Sequence, residues 1–268
     1  MQPMILAVNI GNTNIRAAIG RHEIIDQIVF YATDGPIIEQ IEAGLGSVWD
    51  QIEGSIIASV VPSQTEMVKA ALEQKTGRPV KQVNKNLCGD LRVDKYEGLL
   101  GEDRVVCCAQ ALNKMRKSSP EGLHKPFVVI DYGTATTINV VNGDGEFLGG
   151  AILTGLQTGL DALTRNTAQL PHIEIEKAEI PLIGTNTIEN LQSGAAIGLA
   201  CATEGFLKRI EEEMGCQLSV IVTGGHGPVV LPYCRFDYIH EPSLLLEGLL
   251  ELYRTNPISS EIPKSYRG

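Results

Sequence analysis

MILAVNIGNTNIRAAIG at Met4–Gly20 and FVVIDYGTATTINVVN at Phe127–Asn142 are two versions of one phrase. In each, an apolar run ends in a glycine turn full of hydroxyls and amides, then resumes as a second largely apolar run. Short apolar runs bounded by Gly, Asn and Asp read as buried strands entering a turn. Glycine also lets backbone N–H groups approach an anion closely. Two such turns in one chain predict two related lobes gripping a polyphosphate, and so an enzyme that handles a nucleotide.

Working outward, the first phrase continues into EIIDQIVFY, giving an expected antiparallel meander. A helical pattern follows over Pro36–Trp49, then the apolar strand Ser55–Val61, closed by Pro62. Ser63 with Glu66 three residues on reads as a capping box for a helix running to Lys75 and stopping at Gly77. PVKQV is a short strand, and RVVCCAQALNKMRK after Gly101–Arg104 is a helix. Lys117–Pro126 is polar and broken by proline and glycine, the expected lobe boundary. The second phrase then leads through a GDG turn into EFLGGAI, a helix over Thr154–Ala168, a longer one over Thr187–Glu213, the strand LSVIVTG and a closing amphipathic helix. The layout predicts an α/β protein of two lobes, 1–118 and 119–268, each with a mixed sheet.

The 268 residues suffice to bury a core without staples. A net charge of −10 argues against a nucleic-acid partner, and no stretch suits a membrane span or a signal peptide, so the cytoplasm is the expected location. The six cysteines form no CxxC pair and read as reduced thiols, mostly small core residues. Walker, dinucleotide-binding, protein-kinase, nucleophile-elbow and HExxH signatures are all missing from the sequence.

Four stretches could carry chemistry. Asn9, Gly11, Asn12, Thr13 and Asn14 form the first turn, suited to phosphate or simply to a hairpin. Asp131, with Gly133 and Thr134 beyond it, could hold a cation that bridges phosphates. In GEDR, Asp103 is a candidate general base and Arg104 a candidate anion anchor; phosphoryl transfer to an alcohol needs both. TGGHG at Thr223–Gly227 leaves room for a flat ligand against backbone, or is simply a tight strand-to-helix turn, with His226 expected to be solvent-facing or structural rather than catalytic.

In order and spacing, GNTN, ASVVP (Ala58–Pro62), GEDR, DYGTATT, GGAI (Gly149–Ile152), NT (Asn186–Thr187), TGG and LLLEGL resemble the type III pantothenate kinases, over nearly the whole chain. The resemblance implies two ribonuclease-H-like lobes with mixed five-stranded sheets, an actin-like ATPase architecture, and a homodimer. It implies phosphorylation of pantothenate by ATP with Mg2+, helped by a monovalent cation, K+ or NH4+. Asp103 then matches the base. Gly101, Glu102 and Arg104 match the acceptor-binding segment, with Thr187 and Tyr96 as further acceptor contacts. The turn Asn9–Arg16 matches the ATP phosphate loop, Gly133 and Thr134 match nucleotide contacts, and Asp131 matches the cation ligand.

Three positions depart from the family pattern. Asn9 stands where an aspartate is usual, Tyr96–Gly101 is short and lacks a proline, and Thr154 replaces a proline after GGAI. Asn9 is the feature that favours a non-catalytic relative binding a nucleotide or a pantothenate-like ligand; a kinase for another small hydroxyl compound is the third reading.

Overall fold

A computed structural model describes residues 3–21, 23–31, 36–84, 87–118, 125–175 and 179–256. The first sheet contains β1 (Met4–Ile10), β2 (Asn14–Gly20), β3 (Ile24–Tyr31), β4 (Ile52–Ser59) and β5 (Val80–Gln82), in the order β3-β2-β1-β4-β5. The second contains β6 (Phe127–Tyr132), β7 (Ala135–Val141), β8 (Phe147–Thr154), β9 (Ser219–Thr223) and β10 (Ile239–His240), in the order β10-β9-β6-β7-β8. The pairings repeat strand for strand. The first three strands of each sheet are antiparallel neighbours, and the fourth and fifth add on in parallel. Two mixed five-stranded sheets in an α/β chain are the expected fold class.

The helices are α1 (Ile37–Leu45), α2 (Pro62–Thr76), α3 (Glu102–Ser118), α4 (Leu156–Asn166), α5 (Thr187–Gln192), α6 (Gly198–Met214), α7 (Gly227–Val230) and α8 (Leu244–Thr255). Two elements differ from the sequence expectation. Helix α2 starts at Pro62, capped by Val61 with no side-chain bond, so Ser63 lies inside the helix rather than at its cap. Proline favours the first helical position because its φ is preset and its missing N–H would have had no partner there. The expected long helix over Thr187–Glu213 is two helices joined by a π-helical turn at Ser193–Ile197, where the SGAAI stretch is short of bulky side chains.

By contact, the chain forms two compact units, Met1–Gly89 with Leu245–Gly268, and Asp90–Leu244. The expected boundary at 118/119 separates the two sheets in sequence; most of its polar stretch, 119–124, lies outside the described residues. In the first unit, Leu6, Val8, Ile10, Ile15 and Ala17 pack against Ile37, Ile41, Val68 and Leu72 of α1 and α2. In the second, Val128, Ile130, Tyr132, Ile138 and Val140 pack on Leu156, Leu160, Leu199 and Leu207 of α4 and α6.

Helix α8 joins the first unit from the far end of the chain. The Lys81 ammonium on β5 donates to the carbonyls of Tyr253 (2.7 Å) and Asn256 at the helix's C-terminal end and lies 3.7 Å from the centre of the Tyr253 ring. Burial lowers its pKa to about 8. All six cysteines are free; Cys88, Cys107 and Cys108 are core residues, whereas Cys201 and Cys216 are exposed and Cys234 is half-buried, so only half of them fit the core reading. Burial pushes the Cys108 thiol up to about 12. Among the described residues no helix is long and apolar enough to cross a membrane.

Candidate functional site

The second unit gathers most of the expected site on one face of its sheet. Strand alternation puts Val128, Ile130 and Tyr132 into the core, so Val129 and Asp131 face the other way. Asp131 pairs with Thr137, and Val129 with Asn139, so these four share that face. Helix α3 packs against β6 and β7. Asp103 and Arg104 lie in its first turn.

Asp103 Oδ1 accepts from the Arg104 N–H at 2.8 Å. Burial raises its pKa above the usual aspartate value; the Arg104 N–H and the Arg104 charge oppose the rise. A partly buried carboxylate of raised basicity suits proton transfer. The neighbouring guanidinium is held from several sides. Arg104 Nε donates to Asn139 Oδ1 at 2.6 Å, and its carbon lies 5.4 Å from the Phe147 ring centre and 6.0 Å from that of Tyr96. The two rings meet edge to face at 5.2 Å. Tyr96 therefore sits with Arg104, despite the short spacing before Gly101.

The second turn is gripped by its surroundings. Gly133 N–H donates to the Ala135 carbonyl at 3.1 Å, and the Tyr132 carbonyl accepts from His226 N–H at 3.0 Å. Thr158 Oγ1 on α4 donates to the Thr134 carbonyl at 2.7 Å, and His226 Nδ1 lies 3.3 Å from the Gly133 carbonyl. His226 is thus structural, as expected. Gly224, at φ +98°, passes so close that a Cβ there would stand 2.5 Å from both Asp131 Oδ1 and the Tyr132 backbone; one on Gly133 would stand 3.2 Å from the same oxygen. Two glycines thus let the backbone pack directly against the Asp131 carboxylate. No cluster of three or more His, Cys, Asp or Glu suited to a metal occurs among the described residues.

The first turn belongs to the other unit. Gly11 N–H donates to the Asn14 carbonyl at 3.0 Å, and a Cβ on Gly11 would stand 2.8 Å from that oxygen, so the tight return requires glycine. Asn12 and Thr13 are exposed at the tip, and Asn9 pairs with Arg16 across the strands. Thr187 opens α5 as an exposed residue behind Asn186, whose Oδ1 caps Glu189 N–H at 3.0 Å.

Sequence reasoning missed Asn139, Phe147 and Thr158. The one available signal was an asparagine inside the otherwise apolar strand INVV.

The chain matches the family described as type III pantothenate kinase over residues 5–209. It is 33% identical over 260 residues to a type III pantothenate kinase of Sulfurihydrogenibium sp. (strain YO3AOP1), covering 92% of this chain and 98% of that one. It is 35% identical over 258 residues to a type III pantothenate kinase of Thermus thermophilus, covering 93% and 98%. Among solved structures, the activator of the 2-hydroxyisocaproyl-CoA dehydratase from Clostridium difficile, with bound ADPNP, shares the fold at a TM-score of 0.50 and 13% identity, covering 96% and 100%.

Proposed function

The chain belongs to the type III pantothenate kinases, and from that membership we propose residue roles for its reaction, the ATP-dependent phosphorylation of pantothenate to 4'-phosphopantothenate in coenzyme A biosynthesis. Asp103 is the general base, taking the proton of the acceptor's primary hydroxyl as that oxygen attacks the γ-phosphorus. Arg104 holds the acceptor's carboxylate, with Tyr96, Gly101, Glu102 and Thr187 completing the acceptor contacts. The observation that carries this reading is a partly buried carboxylate of raised pKa next to a guanidinium whose Nη1 and Nη2 make no hydrogen bond among the described residues. One side chain takes a proton and its neighbour takes an anion, as a hydroxy acid requires.

On the ATP side, Asn9, Gly11, Asn12, Thr13 and Asn14 hold the phosphates of the Mg2+ complex, and Gly133 and Thr134 contact the nucleotide. Asp131 would hold K+ or NH4+, whose charge offsets that developing on the transferred phosphoryl group. A second copy of the chain covers the outward side of the edge strand β8, where Leu148 and Ile152 are exposed. The test of that dimer is mass in solution: Ile152→Lys gives monomer if the face is the interface, and an unchanged mass removes it. The non-catalytic reading has no support, since the kinase relatives match along almost the whole chain.

A coupled ATP assay with pantothenate tests the function, and Asp103→Asn tests the base. The variant loses about 10²–10⁴-fold in kcat while pantothenate binding falls much less. Asp103 must be ionised to work, so the wild-type rate falls as pH drops through its pKa. That acid limb lies above the ordinary aspartate range, because burial raises the group, and it is absent from the residual rate of Asp103→Asn. Near-normal turnover by the variant removes Asp103 from the role.

A further inference from the structure

Asn139 is 1% exposed in the middle of β7, where an apolar residue would be ordinary. Both of its amide hydrogens are used, and its oxygen accepts one bond. The Nδ2 group donates to the Val129 carbonyl at 3.2 Å and to Thr137 Oγ1 at 2.9 Å, and Oδ1 accepts from Arg104 Nε at 2.6 Å. The two donated bonds fix which way the amide points, so the oxygen is the atom presented to Arg104. On the other side of the sheet pair, Asn139 is in register with Gly150, whose φ of +153° and close approach to the Ile138 carbonyl admit no side chain. Phe147 and Tyr96 supply ring contacts to the same guanidinium.

An arginine has five donors in a rigid plane, and engaging Nε sets where the plane lies. We infer that Asn139 is the positioning residue that makes this kinase select an acceptor bearing a carboxylate, by holding Arg104 through Nε so that its Nη1–Nη2 edge is preset for bidentate binding. The inference rests on Arg104 as the acceptor's anchor. Without Asn139 the arginine is a mobile cation, attractive to any anion but not prearranged for one; preorganisation, not charge, is what the amide contributes.

The test compares kcat/KM for pantothenate with that for a neutral amide of pantothenate, which keeps the reacting hydroxyl and loses the charge. In Asn139→Ala the preference for pantothenate falls roughly 10-fold, through a higher KM for pantothenate, with KM for ATP unchanged. Asn139→Asp keeps an acceptor oxygen for Arg104 and places a carboxylate oxygen against the Val129 carbonyl; it melts lower than wild type yet keeps the preference. If Arg104→Met leaves the preference intact, the reading of Arg104 as anchor fails. If Arg104→Met abolishes it and Asn139→Ala keeps it, the anchor stands and the positioning role is overturned. A role in stability alone is shown by both Asn139 variants losing activity in step with melting temperature at constant preference, and this also overturns the proposal.

Discussion

The end of β1 and the end of β6 occupy the same place in matching sheets, and they face opposite chemistry. Asn9 looks across its hairpin at Arg16, and Asp131 looks across at Thr137. The backbone around them is held in the same way. Val60 N–H reaches the Ile10 carbonyl in one unit and His226 N–H reaches the Tyr132 carbonyl in the other, at 3.1 and 3.0 Å. Val83 N–H bonds the Ile57 carbonyl as Glu241 N–H bonds that of Val222, at 2.9 and 2.8 Å. What differs is the exit from the fourth strand. One unit leaves through Val60, Val61 and Pro62, tied by Val61 N–H to Ser59 Oγ at 3.1 Å; the other leaves through Gly224 at positive φ, pressed against Asp131. The sheets thus share a frame, and the charge at each turn is set by a few side chains added to it.

The comparison breaks most severely at Asp131. Asp131→Asn gives the second hairpin the neutral amide that the first has at this position, and on the proposed cation role about 10²-fold of kcat/KM at saturating K+ is lost. The check is initial rate against K+ concentration, and stimulation surviving in the variant sinks the assignment of the cation to this carboxylate. Next comes Gly224→Ala, which asks whether the second exit tolerates a side chain as the first does. A Cβ 2.5 Å from Asp131 Oδ1 and the Tyr132 backbone, at φ +98°, costs about 2–4 kcal/mol and lowers Tm by roughly 5–15 °C. A melt within a degree of wild type would mean that the close approach is not rigid.

The smallest effect is expected from Asn9→Asp, which makes the first hairpin resemble the second. The new carboxylate stands across from Arg16, and a cross-strand ion pair of about 0.2–1 kcal/mol takes up part of its charge. The gain in apparent affinity for Mg2+–ATP is therefore cut by up to about fivefold relative to a carboxylate with no cation opposite, and we predict only a small improvement. A far larger gain, read from a Mg2+ titration, would show Arg16 to be turned elsewhere during turnover.

Much of this frame was legible in residues. MILAV and FVVI read as buried strands because each is apolar up to a glycine turn, and both hairpins follow. Asp103 and Arg104 were legible as a pair at a helix start. Ser63 misled because Pro62 competes for the same helix end, and backbone preference outranks a side-chain cap. Asn139 could not be read, because one polar residue in a strand signals either an exposed edge or a satisfied interior amide, and only the positions of Val129, Thr137 and Arg104 decide between them. The destination of α8 was likewise hidden, since an amphipathic helix states that it needs an apolar surface and not which one.

Helix α8 gives the molecule an order of assembly. Leu249, Leu250 and Leu252 are buried, and the carbonyls at the helix's C-terminal end are tied to Lys81 on β5. Asp90–Leu244 is one uninterrupted stretch, whereas the unit begun by β1 has no closing helix until after Leu244. On a ribosome, the part translated first cannot bury the surface that α8 covers until α8 itself has been made, after the whole of Asp90–Leu244.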